Sequence, residues 1–188
     1  MARFTPQQQA QMRTLLEAGD AEHALALHRT IYPRAGSGLI ADLDEEAIRE
    51  ILTEDARCLA FCDDQRRREL RIVAAMMVAL QCTHDPRWFA RPNFEWPYRI
   101  SLKGAIQNLF KEQAVAGNLM EWRRSGVVGE VRVLHSADGP CDPCRRLSLR
   151  AYCLETVPDI PHPLCTNTDD GCRCGLIASK IRGLSRIW

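Results

Sequence analysis

Cysteine spacing limits this chain more than any other feature. Cys141-Asp-Pro-Cys144, Cys153, Pro161-His-Pro-Leu-Cys165 and Cys172-Arg-Cys174 all fall in the last third of 188 residues. The chain holds nine cysteines, an odd number, behind an N-terminus (MARFTPQQQAQ) with no apolar stretch of signal-peptide length. Such thiols are expected to be reduced, and reduced thiols clustered by spacing point to a metal. A C-x2-C turn presents two thiolates on one side of a tight loop, which suits two corners of a tetrahedron. The other two corners come from a second cluster further along. Zn2+ fits such a site because thiolate and imidazole are its usual structural ligands.

Six residues compete for four places: Cys141, Cys144, His162, Cys165, Cys172 and Cys174. Cys141 and Cys144 are the firmest. In an extended Cys-x-Cys the side chains point to opposite faces, so Cys172 and Cys174 should not share one ion without a turn between them. The preferred set is Cys141, Cys144, Cys165 and Cys172, with His162 a close competitor. Cys153 follows Tyr152 in an apolar patch and reads as buried packing. A surplus of candidates over corners favours a closed, structural site, since a catalytic zinc keeps one position open for water. A loop-rich segment this short buries too little surface to hold itself, and structural zinc supplies an apparent ~10–16 kcal/mol in small peptides.

Upstream the pattern is helical. Thr5-Pro6 opens a first helix that Gly19 ends. Asp20 caps a second, carrying Leu25, Leu27 and Ile31, which Pro33 stops. Asp42 with Glu45 resembles a capping box, and Ile48, Ile51, Leu52 and Leu59 continue with helical period. Over 58–80 two apolar runs flank the polar stretch Asp63–Glu69, which could be a hairpin turn. Ala74, Ala75, Met76 and Met77 tip the reading to helix. Cys58 and Cys62 then sit four apart on a helix as buried thiols, and Cys82-x-His84 reads as a buried thiol and a surface histidine. Residues 82–98 carry Trp88, Phe89, Phe94, Trp96, Tyr98 and three prolines. They read as an irregular segment whose rings plug onto the core or, in the sharper reading, dock a protein partner. Ser101 caps a helix over Leu102–Arg124 that Ser125-Gly126 ends. Glu130–His135 alternates like a half-buried strand, and Asp138-Gly-Pro140 is a turn.

The net charge of +1 gives no long-range field toward nucleic acid or an anionic membrane. The longest strongly apolar run, Ile72–Leu80, is less than half of the roughly twenty residues a bilayer needs. The expectation is a soluble cytoplasmic protein without a membrane partner. Pro140-Cys141-x-x-Cys144 matches half of the zinc deaminase signature, but no His or Cys upstream precedes a Glu by two residues. Walker, dinucleotide, G-x-S-x-G and H-E-x-x-H motifs are absent. No motif links Glu112 with His135 as an acid–base pair, and no catalytic residue is assigned.

From Lys111 to Cys174 the chain resembles the C-terminal part of phage head morphogenesis proteins, the Mu F-like minor head proteins. The shared order is a helix with Glu112 and Asn118, the stop Ser125-Gly126-Val127-Val128, the strand Val131–Leu134 and Asp138. Cys141-Asp-Pro-Cys144, Pro161-His162-Pro163 and Cys172-Arg173-Cys174 follow. Three departures stand out. Leu164–Gly171 splits the tail, Val133 or Leu134 replaces a strand Trp, and Leu147-Ser148 replaces an Asp-Gly. The resemblance implies a minor capsid or portal-associated component of head assembly or DNA packaging, and hence a virion-associated location.

The reading is an α+β protein. Residues 1–126 form a mainly helical region and residues 127–188 a Cys/His zinc module. The first functional expectation is a non-enzymatic assembly or interaction protein. The second is a zinc-dependent nucleic-acid-binding or regulatory protein with Arg145, Arg146, Arg150, Arg173, Arg182 and Arg186 on one face. An enzyme of toxin or nuclease type with an unidentified site is the third.

Overall fold

A computed structural model describes residues 4–31, 38–53, 56–79, 97–135 and 141–181, with the backbone alone over 38–45. The fold is α+β. The described helices are α1 (Pro6–Glu17), α2 (Ala21–Ile31), α3 (Gly38–Thr53), α4 (Asp64–Ala79), α5 (Leu102–Ser125) and α6 (Asp142–Leu147). The strands are β1 (Val128–Leu134), β2 (Ala151–Tyr152) and β3 (Gly175–Ile181). Two compact units result, Met1–Phe94 and Glu95–Trp188. The division thus falls ahead of α5 rather than at residue 126, because α5 contributes Val115, Leu119 and Trp122 to the core of the second unit.

The first unit is helical. Thr5 caps α1 with a full capping box: its hydroxyl accepts from the Gln8 amide while the Gln8 side chain accepts from the Thr5 amide. Gly19, at φ 74°, turns the chain toward α2. Helix α3 begins at Gly38, so Asp42 lies inside it and is not its cap. The apolar spacing of Leu39, Ile40 and Leu43 already extends the helix upstream. Nor does α3 run on to Leu59. Extended Ala56 separates it from a 3-10 turn, Arg57–Leu59, that holds Cys58. Cys62 lies between that turn and α4, so the two thiols do not share a helix.

The helical reading of the following stretch holds. Asp63 accepts from the Arg66 amide at 2.9 Å, as an N-cap does, and Asp63–Glu69 enters α4 instead of forming a hairpin turn. Ile72 to Met77 are all buried, so α4 is the core of this unit. Leu70 and Met77 of α4, Leu25 of α2 and Leu59 of the 3-10 turn are all 0% exposed. Arg13 Nη2 on α1 donates to both carboxylate oxygens of Glu69 on α4, at 2.9 and 3.2 Å.

In the second unit, Ser101 caps α5 by accepting from the Gly104 amide, and Gly126 ends it at φ 63°. The sheet is antiparallel in the order β2-β1-β3. Alternation along β1 sends Val131 and Val133 into the core and leaves Arg132 and Leu134 exposed. Strand β3 was not anticipated, although Leu-Ile-Ala-x-x-Ile carries the apolar, β-branched composition of one. Among the described residues no helix is long and apolar enough to cross a membrane.

Candidate metal centre

Three segments bring the cysteines together. Cys141 occupies the N-cap position of α6, with Pro143 in the first turn, so the C-x2-C pair sits on a short helix rather than a bare loop. Cys165 follows a turn in which its amide donates to the His162 carbonyl at 2.9 Å. Cys172 and Cys174 precede β3. Cys141, Cys144 and Cys165 form one group, and Cys144, Cys172 and Cys174 a second; within each, the sulfurs all lie within 4.8 Å of one another. Cys144 belongs to both. Cys165 and Cys172 also act on each other's ionisation, which links the two groups.

Cys172 and Cys174 therefore do converge, against the alternation expected of an extended Cys-x-Cys. Gly171 stands at φ 76° and residues 171–174 have no strand pairing, so the pleat that would separate the side chains is absent. His162 lies outside both groups. Its Nδ1 accepts from the Leu164 amide at 3.1 Å and serves the turn that presents Cys165. Cys153 is exposed rather than buried: Tyr152 faces the core from β2, so its neighbour faces out, 3.0 Å from the Thr156 hydroxyl.

The sulfur spacing fits a metal and not a disulfide. A tetrahedron with zinc–sulfur bonds of about 2.3 Å has sulfur–sulfur edges of about 3.8 Å. The sulfurs of each group lie within 4.8 Å of one another, and even Cys141 and Cys165, at 3.7 Å, are far from the about 2.05 Å of a covalent bridge. All-sulfur donors select thiophilic ions. The cluster can hold a metal ion. Cys144, Cys172 and Cys174 also belong to the hydrophobic core with Val131, Val133 and Ile160, so the site is part of what holds the unit together.

Electrostatics reinforce that reading. Sulfurs this close cannot all ionise without a cation. The thiols of Cys144, Cys165 and Cys174 hydrogen-bond to Cys172 and hold its thiol well below the ordinary range. Cys144 is pushed far up, because it donates to Cys165, Cys172 and Cys174 and is buried. A bound dication would stabilise the thiolates together.

A second set of residues, not legible as a site in the sequence, positions the Cys172–Cys174 segment. The Cys172 amide donates to the Asn108 side-chain oxygen at 2.6 Å, a buried bond to α5. The Ser101 amide donates to the Thr168 carbonyl at 2.8 Å, and its hydroxyl to the Asp169 carbonyl at 2.6 Å. Lys103 pairs with Asp170 at 2.5 Å. Backbones touch where two glycines meet. A Cβ on Gly104 would stand 2.7 Å from the Thr168 oxygen, and one on Gly171 would stand 2.6 Å from the Gly104 oxygen. The segment 168–171 is thus a clamp onto α5. Its one sequence signal was Gly104, a costly residue in a helix unless backbone must approach closely.

Arg145, Arg146, Arg150 and Arg173 are exposed; Arg145 pairs with Asp142, Arg173 with Asp170, and Arg150 lies over the Tyr152 ring. Glu112 is half-buried on α5, and His135 is exposed after β1. Arg182 and Arg186, the turn at 138–140, Cys82, His84 and all of the aromatic segment up to residue 96 lie outside the described residues.

Neither a family model, nor a curated protein, nor a solved structure gives a significant match to this chain.

Proposed function

We propose that the sulfur cluster binds one structural Zn2+, and that the chain is a non-enzymatic assembly or interaction protein whose C-terminal unit is a metal-held docking module. One observation carries the reading: sulfurs from three separate segments converge inside an apolar core. Residues 153–174 contain almost no regular structure, so few backbone bonds hold them in place. A closed tetrahedral ion supplies the missing constraint. More thiols than corners, seated in a core, suit a structural ion better than one that must expose a water.

The biological role rests on the resemblance to the Mu F-like head morphogenesis module. Helix, glycine stop, strand and cysteine pairs follow one another here in that family's order. On this reading the protein is a minor component of phage head assembly, associated with the virion, and acts through protein contacts.

Metal content on protein purified without added metal tests the first part. About one zinc per chain is expected, lost in Cys144→Ser and Cys172→Ser together with protease resistance of the C-terminal unit. A well-folded wild-type chain free of metal would overturn the zinc reading. The second part predicts co-sedimentation with phage head particles. Recovery only in the free fraction would overturn the assembly role and leave the metal reading intact.

A further inference from the structure

Five sulfurs surround a site that needs four, so one of them is spare. Resting on the metal reading above, we propose that Cys144, Cys165, Cys172 and Cys174 hold the ion, and that Cys141 is a metal-adjacent thiol modified by hydroperoxides. This ligand set replaces Cys141 of the spacing-based preference with Cys174.

Burial selects three of the ligands and connectivity the fourth. Cys144, Cys172 and Cys174 are 1%, 3% and 3% exposed and form one mutually close group. Buried thiolates need a compensating cation more than half-exposed ones do, so the ion belongs among these three. Cys165 lies within 4.8 Å of Cys144, and Cys172 acts on its thiol as well, so it supplies the fourth corner. Cys141 hydrogen-bonds to Cys165 and, like Cys165, is half-exposed, but it lies in the group that lacks Cys172 and Cys174. A hydroperoxide can therefore reach it while the buried sulfurs stay covered.

The chemistry needs only that oxidant. The Cys141 sulfur attacks the peroxide; its S–O bond forms, the O–O bond breaks, and the thiol proton leaves with the alcohol or water released. Cys165, 3.7 Å away, then attacks the sulfenic sulfur. The disulfide forms, the S–O bond breaks, and hydroxide departs. Two thiol sulfurs are oxidised and one peroxide is reduced. The ion loses one of four thiolates, which opens a closed site and lowers its affinity.

Metal-loaded full-length chain treated with hydrogen peroxide tests the assignment. Peptide mapping should show Cys141–Cys165 as the first disulfide, with zinc release in step, read by a chromogenic chelator. Cys141→Ser should keep about one ion per chain and release it roughly tenfold or more slowly under peroxide. Cys174→Ser should lose the ion. Hydrogen exchange on Cys141→Ser and Cys141→Ala reports whether they fold. One ion in wild type but none in folded Cys141→Ser would overturn the assignment alone, as would a first disulfide that omits Cys141. No ion in wild type would overturn the metal centre and this assignment with it.

Discussion

The same residue does different work in the two units. In the helical unit Cys62 is a buried thiol, pushed up to about 11 by desolvation and by Asp63, and it behaves as a small apolar side chain. In the C-terminal unit five thiols press on one another inside the core. Their surroundings differ in kind. Among the described residues the first unit fills its centre with apolar side chains such as Leu25, Leu59, Leu70 and Met77. The second sets a short three-stranded sheet and one long helix beside some twenty residues of irregular chain. Apolar burial scales with regular packed surface, and where that is short, a metal replaces it.

Metal removal should break this comparison most visibly. Chelation takes away a term of about 10–16 kcal/mol in zinc peptides, more than a small unit's whole stability. Hydrogen exchange is expected to rise across 141–181 while α1, α2 and α4 keep their protection. Equal loss of protection in both units would mean that the cluster is not a local staple.

The complementary test is Leu25→Ala. Leu25 is fully buried in the helical unit, and truncation at such a site costs about 2–5 kcal/mol. Denaturant unfolding followed by exchange should show the loss in the helices, with zinc stoichiometry unchanged. A drop in bound metal would show that the units are not energetically separate.

What the sequence made legible divides along the same line. Helices were readable from caps and period: Thr5-Pro6, Ser101 and Gly126 mark their ends in sequence and in structure. The cysteines were readable as a group because spacing alone predicts that they meet. Their geometry was not. The opposite-face rule applied to Cys172 and Cys174 assumes a pleat, and Gly171 at φ 76° with the Asn108 bond removes it. Long-range choices of this sort depend on which polar groups α5 offers, some 60 residues away. Local spacing carries no trace of them beyond Gly104.

Gly171→Ala probes that clamp. An alanine would need φ 76° and would place Cβ 2.6 Å from a helix carbonyl and 2.8 Å from Asn108 Oδ1. Strained backbone of this kind costs about 1–3 kcal/mol, and the neighbour struck first is backbone. The expected result is a lower midpoint for the C-terminal unit and faster zinc loss to a competing chelator, with the helices unaffected. Unchanged zinc retention would show that the clamp and the metal are independent.

The smallest effect sharpens the contrast through pH. On the helical unit, exposed His23 hydrogen-bonds to Asp20 at 2.8 Å, which raises the imidazole above its ordinary 6.5 and lowers the carboxyl. A raised folded value means that the stabilisation is fully present below about 6.5 and fades as pH rises through the folded value. The metal unit must run the other way, because falling pH protonates thiolates and releases the ion. Between pH 8.5 and 5.5 the helical unit should therefore gain slightly. Further acidification should strip the C-terminal unit first. The pair is exposed, so the gain is small and shrinks with salt. An NMR titration of His23 in wild type and Asp20→Asn measures it: the midpoint should lie above 6.5 and fall in the variant. A midpoint unmoved by Asp20→Asn would remove the ion pair as the cause and leave the helical unit without this opposing pH response.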